Sequence, residues 1–144
     1  MVLRYTKWVA DQLHIQRSSY LPAECCAILL GRSDKANPEI MHAENVCPIQ
    51  NVSESRIGLF LMNPQQQYNI VSSVKDGGGN KFVKIAAHYH SHPKGSMGYP
   101  SHTDFTQALK AWSIGIHVIH GDDGINAFYW DGDQFTPIKT EVTD

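Results

Sequence analysis

The segment HYHSHPKGSMGYPSHTD, residues 88–104, concentrates side chains that bind metal ions. It holds four of the eight histidines of the chain and ends in a serine followed three residues later by an aspartate. Side chains alternate between the two faces of a β-strand, so His88, His90 and His92 would share one face. His90 and His92 would lie at the end of that strand, where two imidazole nitrogens can bind the same metal ion.

Asp104 is a third candidate ligand. Residues 93–100 are expected to form a turn, after which Ser101 would cap a helix and place Asp104 in its first turn. Two histidines and one carboxylate leave a fourth tetrahedral position for water, which is typical of catalytic zinc, whereas structural zinc sites are closed and rich in thiolates. The histidine pair and the Ser-x-x-Asp sequence each have a simpler explanation. Ser-x-x-Asp can be only a capping box, and histidines on a strand can be only surface or core residues. Their combination in one short segment favours a zinc site formed by His90, His92 and Asp104.

A zinc hydrolase also needs a general base, and Glu24 is the candidate. It directly precedes the apolar run CCAILLG (25–31), where an acidic side chain has no evident structural purpose. No His-Glu-x-x-His helix is present to supply the base instead. The alternative is a loop residue that points to solvent.

These residues resemble the motif of the JAMM (MPN-plus) metalloprotease family, in which an upstream Glu is followed by His-Ser/Thr-His-Pro, a short loop and Pro-Ser-x-x-Asp. The matching positions are Glu24, His90-Ser91-His92-Pro93 and Pro100-Ser101-His102-Thr103-Asp104. The resemblance also covers the first helix, the strand after Glu24, Phe-Leu-Met-Asn-Pro (60–64) and the strand 115–121. It implies that His90, His92 and Asp104 bind one Zn²⁺, that Glu24 acts as general base and then acid, and that Ser101 stabilises the oxyanion.

The same resemblance implies one domain over residues 1–144, of the JAMM/MPN type, with a cytidine-deaminase-like α/β architecture. Two features depart from the family pattern. Eight residues separate His92 from Ser101 instead of seven, and alanines stand at positions 27 and 87, where the family often has glycine. The extra residue falls in a glycine-containing turn, where insertions are tolerated.

Members of this family hydrolyse amide bonds after the C-terminal glycines of ubiquitin or ubiquitin-like proteins. The chain is short and resembles the minimal prokaryotic form, which implies as substrate and partner a ubiquitin-like or sulfur-carrier protein with a C-terminal Gly-Gly, or its conjugate. A phage-tail or cell-wall peptidase, a non-catalytic MPN scaffold and a metal-binding sensor are the alternatives. Scaffolds usually lack the metal ligands, and a sensor has no need of Glu24. His88 would support the ligands, line a groove, or simply pack as a strand residue.

Hydrophobic periodicity predicts the elements that position these residues. We expect helices over 6–18, from Asn63-Pro64 to Gly77-Gly78-Gly79, and over 100–112; strands over 24–32, 38–48, 57–62, 81–92 and 115–121; and a hairpin over 125–139 that turns at Asp131-Gly132. The run 24–32 is apolar throughout, which is typical of a strand buried on both faces. The pattern predicts one α/β domain, with a central mixed sheet flanked by helices.

Composition narrows the functional class. A chain of 144 residues with 42% hydrophobic and 18% charged residues is typical of one globular domain. A net charge of −2, with no basic stripe among aromatics, argues against nucleic acid or anionic membranes as partners. No signal-peptide or membrane-spanning pattern is present, and three cysteines, two of them adjacent, suit a reducing cytoplasm. Residues 121–144 carry one lysine and six acids, which predicts a solvated hairpin and tail, with a docking face for a basic partner as the alternative.

Overall fold

The computed structural model describes residues 1–55, 57–75 and 83–144. The order of elements is β1 (Val2–Thr6), α1 (Lys7–Tyr20), β2 (Cys26–Ser33), β3 (Ile40–Ile49), α2 (Pro64–Lys75), β4 (Lys84–Ser91), α3 (His102–Ala111), β5 (Gly115–Gly121), β6 (Gly124–Trp130) and β7 (Phe135–Thr143). The three predicted helices are confirmed, as are the predicted strands that correspond to β2, β3, β4 and β5 and the hairpin of β6 and β7. The triplet Gly77-Gly78-Gly79 and the start of the predicted strand 81–92 lie outside the described residues.

The strands form one mixed sheet that closes on itself. The strand order is β1-β3-β2-β4-β5-β6-β7, and β1 pairs in parallel with both β3 and β7. β4 and β5 are also parallel, while the remaining neighbours are antiparallel. The mixed α/β class is therefore confirmed. The predicted layout of a central sheet flanked by helices is found only in part, because pairing of the first and last strands makes the sheet barrel-like.

Two strands differ from the sequence-based expectation. No strand is predicted for residues 2–6, yet they form β1, with Leu3 and Tyr5 buried and their neighbours partly exposed. The acidic end is not a free tail, because residues up to Thr143 belong to β7 and pair with β1 as well as β6. Both strands are short or polar, so their pairing partners far along the chain decide their structure.

The prediction of a strand over 57–62 is wrong, and the buried side chain of Asn51 explains why. Its Oδ1 accepts a hydrogen bond from Leu61 N at 3.0 Å, and its Nδ2 donates to Leu59 O at 3.2 Å. The same Nδ2 donates to Glu24 O at 3.0 Å. Backbone groups of this segment are thus satisfied by an amide side chain, and only an isolated bridge to residue 51 forms.

The helices α1 and α2 cover opposite faces of β2. Thr6 caps α1 by accepting a hydrogen bond from Val9 N at 3.1 Å. The buried face of α1 packs on a cluster that includes Val9, Leu13, Ala27, Leu29 and Tyr89. Residues of α2 pack against the second cluster, Cys26, Ile28, Ile49 and Met62. β2 is therefore buried on both faces, as its continuous apolar run predicts.

The cysteine side chains are free thiols. Cys25 and Cys26 are buried, and Cys47 is half-buried. Burial raises the pKa of the Cys26 thiol to about 12, so this side chain is uncharged and unreactive at neutral pH. None of the helices in the described residues combines the length and the hydropathy of a membrane span.

His120 is a buried histidine on β5 that contacts α1. Its ring Nδ1 lies 2.9 Å from the Tyr89 hydroxyl, and its ring packs edge-on against His14, with centroids 4.8 Å apart. Burial lowers the pKa of His120, the nearby His14 and Arg17 side chains add to this effect, and Asp123 opposes it slightly, so the pKa is about 4. The imidazole is therefore neutral in the folded protein at pH 5, where an unfolded histidine is charged.

We expect acid to destabilise the fold through His120. Between about pH 6.5 and pH 4 the unfolded chain binds a proton that the folded chain does not, so stability falls as the pH falls through this window. At about pH 5 the loss is roughly 2 kcal/mol, from 1.36 kcal/mol per pKa unit. Urea unfolding of chelator-treated protein at about pH 7.5 and pH 5 should show a loss that is smaller by this amount in His120→Gln. The exposed His102 provides the control variant His102→Gln, which should behave like the wild type. Equal losses in all three proteins would contradict the prediction.

Candidate metal centre

The candidate ligands and Glu24 meet where β2 and β4 run side by side. In this antiparallel pair Cys26 is opposite His90. Beyond it, Ser91 N donates to Cys25 O at 2.9 Å, and Cys25 N donates to the Ser91 hydroxyl at 2.9 Å. These two bonds hold Cys25, the residue before β2, beside Ser91, the last residue of β4. Glu24 is thereby placed near His92, although 68 positions separate them in the sequence.

His90, His92 and Asp104 form a compact and buried group. One ligand atom from each lies within 4.8 Å of the others. Nε2 of His90 is 3.2 Å from Oδ1 of Asp104, and Nε2 of His92 is 2.9 Å from Oδ2 of the same carboxylate. All three side chains are less than a tenth exposed. The group that sequence spacing predicts is therefore assembled in space.

Two of the separations among these atoms are close to those expected around a small divalent cation. Zinc ligands lie at ~2.0–2.2 Å from the ion, so two tetrahedral ligands are ~3.3 Å apart. The observed separations from Asp104 to the two imidazoles are close to this value. Nε2 of His90 is moreover buried without a hydrogen bond of acceptable geometry, despite its 3.2 Å distance from Asp104. A buried nitrogen without a hydrogen-bond partner destabilises the fold unless it binds an ion.

The contacts of the His92 ring leave its Nε2 available to bind a metal ion. Its Nδ1 lies 2.7 Å from Met97 O. A carbonyl can only accept, so Nδ1 carries the proton, and this contact orients the ring with Nε2 toward Asp104. Burial alone would lower the pKa of His92, but the Asp104 carboxylate and the Met97 carbonyl outweigh it and raise that pKa.

The pKa values of the other two ligands are both lowered, for different reasons. Burial lowers the pKa of His90, so its imidazole stays neutral, as a metal ligand must be. Burial opposes ionisation of Asp104, but the two histidines and Ser101 N hold its pKa well below the usual range. The site therefore presents two imidazoles and an ionised carboxylate.

Ser101 forms the capping box that its spacing allows. Its hydroxyl oxygen accepts from Asp104 N at 3.0 Å, and Ser101 N donates to Oδ2 of Asp104 at 3.0 Å. The cap uses the hydroxyl as an acceptor, which leaves its O–H available as a donor. The two interpretations of Ser-x-x-Asp are therefore compatible, because Asp104 starts the helix and also faces the histidines.

Glu24 does not point to solvent, since only 3% of it is exposed. Burial raises the pKa of its carboxyl to about 7, with the His92 side chain opposing the rise and the Asp104 charge adding to it. In the described residues its carboxylate has no hydrogen-bond partner. An acid with this pKa beside the candidate ligands is suited to accept and return a proton near neutral pH.

Aromatic rings surround the ligand His90. Phe60 stacks on its imidazole with centroids 4.3 Å apart, and Trp112 packs edge-on at 5.5 Å. Trp112 in turn stacks on His117 at 5.0 Å, and His117 stacks on His88 at 5.3 Å. His88 is thus half-buried, lies on the same side of the sheet as His90 and contacts His117.

The turn 93–100 is fixed against the turn between β5 and β6. Gly95 N donates to Asp122 Oδ2, and Gly98 N donates to Asp123 Oδ1, both at 2.7 Å. A Cβ atom on Gly121 would collide with the backbone of Gly98, so the two turns can cross only without a side chain there. The one-residue longer turn is therefore an ordered part of the site.

Arg17 joins this turn to the metal centre. Its Nε donates to His92 O at 3.1 Å, while Nη2 donates to Pro93 O at 3.2 Å and to Asp122 Oδ1 at 2.8 Å. The residue lies in the last turn of α1, and no local signal in the sequence distinguishes it from a basic residue at a helix end. Only the three-dimensional structure shows that it binds the backbone at a candidate ligand.

We expect Arg17→Met to weaken zinc binding by roughly tenfold, the lower end of the effect seen when a group that orients a ligand is removed. The substitution keeps the apolar stem of the side chain and removes all three hydrogen bonds. Competition with a chelating dye would measure the affinity. Arg32→Met is a matched control, because Arg32 pairs with Glu44 on the surface at 3.2 Å. Equal affinities of the two variants would show that Arg17 does not support the site.

The chain is similar to known proteins in sequence and in fold. A family model described as prokaryotic homologs of the JAB domain matches residues 6–131. A solution structure of a protein from Desulfitobacterium hafniense is similar with a TM-score of 0.79 and 23% identity, over 99% of this chain and 93% of that one. No curated protein shows significant similarity to the chain.

Two further solved structures share the fold. The crystal structure of a JAB1/MPN domain protein from Archaeoglobus fulgidus has a TM-score of 0.60 and 16% identity, over 99% of this chain and 98% of that one. The solution structure of a protein from Salinibacter ruber has a TM-score of 0.62 and 20% identity, over 98% of this chain and 92% of that one. Structural similarity at these identities concerns the fold alone.

Proposed function

The chain belongs to the prokaryotic JAB-domain family, and from this premise we propose that it is a zinc-dependent peptidase. We propose as its reaction the hydrolysis of a peptide or isopeptide bond after the C-terminal Gly-Gly of a ubiquitin-like or sulfur-carrier protein. The observation that carries the proposal is the buried group of His90, His92 and Asp104 with its unpartnered imidazole nitrogen. The buried acid Glu24 beside this group favours an enzyme over a scaffold or a sensor, neither of which needs a base.

His90 and His92 would hold the zinc ion through Nε2, and Asp104 would hold it through its carboxylate. When bound, Zn²⁺ supplies Lewis acidity, which polarises the scissile carbonyl and makes water more acidic. Three protein ligands leave room for water and the carbonyl oxygen. The ligand side chains are buried, and electrostatic interactions are stronger in such a poorly solvated site than in water.

Glu24 would act as the proton carrier of the reaction. Its carboxylate takes a proton from the attacking water while the water oxygen bonds to the carbonyl carbon. It then donates this proton to the leaving nitrogen as the carbon–nitrogen bond breaks, which releases a carboxylic acid and an amine. The O–H of Ser101 would donate to the carbonyl oxygen as negative charge develops on it. Its burial beside the ligands places the Glu24 carboxyl where it can make both transfers.

The experiment is to incubate the zinc-loaded protein with a ubiquitin-like protein whose C-terminal Gly-Gly is fused to a reporter. Mass spectrometry should show cleavage after the second glycine, and a chelator should abolish it. A fusion in which the second glycine is replaced by valine is the matched control and should remain intact. An intact Gly-Gly fusion, with zinc bound to the protein, would contradict this substrate. The cytoplasmic location and the exclusion of nucleic-acid partners remain predictions from composition.

A further inference from the structure

An open cavity of about 310 Å³ lies next to the metal centre. The segment Phe60–Met62 and the end of α3 with Trp112 form its walls, and His88 and His117 line it from the sheet. Leu61, more than half exposed, stands at its opening to solvent. An apolar cavity of roughly 150 Å³ already accommodates benzene, and cavities of ~300 Å³ or more are typical of ligand sites. The space is therefore large enough for a bulky side chain and is left empty by glycine.

The walls of the cavity are mostly apolar, although Gln67, Gln107, Lys110 and Ser113 also line it. Trp112, His117 and His88 are stacked one on another, with ring planes within 18° of parallel. Burial lowers the pKa of His117 to about 4, so its ring is neutral. His117 uses Nε2 in a contact with Ser113 O at 2.8 Å. His88 has no hydrogen-bond partner in the described residues, so its ring can meet a polar edge of an occupant.

The rings of Phe60 and Trp112 lie between the cavity and the ligand His90. Phe60 and Trp112 line the cavity and both also contact the ligand His90, at centroid distances of 4.3 Å and 5.5 Å. An extended polypeptide advances ~3.3–3.6 Å per residue. A substrate whose scissile carbonyl lies at the metal would therefore reach the cavity within about three residues.

We propose that this cavity binds a large apolar side chain of the polypeptide substrate, best an aromatic one, within about three residues of the cleaved bond. The identity of the occupant as substrate rests on the proposed function, while the binding site itself does not require catalysis. The Gly-Gly sequence alone leaves the cavity empty. Recognition therefore extends to a bulky residue near the glycines or beyond the cleaved bond.

Binding of two small probes tests the site directly. N-acetyl-phenylalanine amide and N-acetyl-glycine amide are titrated into the zinc-loaded 144-residue chain while its amide and indole N–H resonances are recorded. The phenylalanine probe should bind with a dissociation constant of about 1 mM, as expected for so small a ligand, and should shift the Trp112 indole resonance. The glycine probe should not. Equal responses to the two probes would overturn the proposal.

A variant that fills the cavity provides the second arm. Ala111 lines the cavity at the end of α3, so Ala111→Trp should weaken binding of the phenylalanine probe by roughly tenfold or more. Leu109→Trp is the matched control, because this exposed residue of the same helix does not line the cavity. Zinc content and circular dichroism of both variants should equal those of the wild type. Unchanged probe binding in a folded Ala111→Trp protein would overturn the proposal.

Hydrolysis separates this proposal from the proposed function. In a set of fusions that all keep Gly-Gly, alanine is replaced by phenylalanine at each other position within three residues of the cut. One of these fusions should have a kcat/KM roughly tenfold higher than the alanine fusion. That preference should be lost in Ala111→Trp. Cleavage of the fusions without any probe binding or aromatic preference would overturn the cavity proposal and leave the peptidase. Probe binding without hydrolysis of any fusion would overturn the peptidase and leave the cavity as a binding site.

Discussion

Glu24→Gln is expected to lower the rate of hydrolysis by ~10²–10⁴-fold while zinc remains bound, because the loss of a general base or acid has this magnitude. Glutamine has nearly the same shape as glutamate but cannot take the proton from water. Glu24 is buried beside the ligands without belonging to them, so the metal content should not change. Single-turnover cleavage of the Gly-Gly fusion and elemental analysis of the same sample would measure both effects.

Glu54→Gln is the control for this substitution, since Glu54 is an exposed acid. Its activity and zinc content should equal those of the wild type. A Glu24→Gln protein with zinc bound and full activity would show that another group moves the proton. A Glu24→Gln protein that has lost its zinc would place Glu24 among the metal-binding residues instead.

Asp104→Asn is expected to weaken zinc binding by more than ~100-fold, since even groups that only orient a ligand are worth 10–100-fold. The amide keeps the shape of the side chain, and its oxygen can still accept from Ser101 N, so the start of α3 should persist. What disappears is the negative charge that faces His90 and His92 at 3.2 Å and 2.9 Å. Competition with a chelating dye and circular dichroism would separate loss of metal from loss of helix.

Asp11→Asn on the exposed side of α1 is the matched control, and it should bind zinc as the wild type does. Hydrolysis by Asp104→Asn should fall together with its zinc content and recover in part at high zinc concentration. Wild-type zinc affinity in a folded Asp104→Asn protein would exclude Asp104 from the site.

The candidate site could be predicted because its signals are local. The two-residue period of a strand places His90 and His92 on one face, and helix-start chemistry places Asp104 in a first turn. The apolar run that follows Glu24 in the sequence also indicates that this residue is buried. Each inference depends on a few neighbouring residues, and the structure brings these residues together.

The remaining contributions to the site come from distant parts of the chain. Arg17 contacts His92 across 75 positions, and Phe60 covers His90 from a segment that has no regular structure. That segment has the composition of a strand, yet the Asn51 side chain bonds to two of its backbone groups, Leu59 O and Leu61 N. Closure of the sheet likewise requires β1 to meet β7, the two ends of the chain. No short-range pattern encodes such pairings, because packing of distant segments decides them.

The most direct test of the account is the zinc content per chain, measured by elemental analysis on the wild type and on His90→Ala purified in the same way. His90 supplies the buried nitrogen that has no hydrogen-bond partner in the described residues, so its removal acts on the metal site itself. We predict about one zinc per chain in the wild type and almost none in the variant. A wild-type protein that binds no zinc, even after zinc is added, would contradict the metal centre and the peptidase built on it.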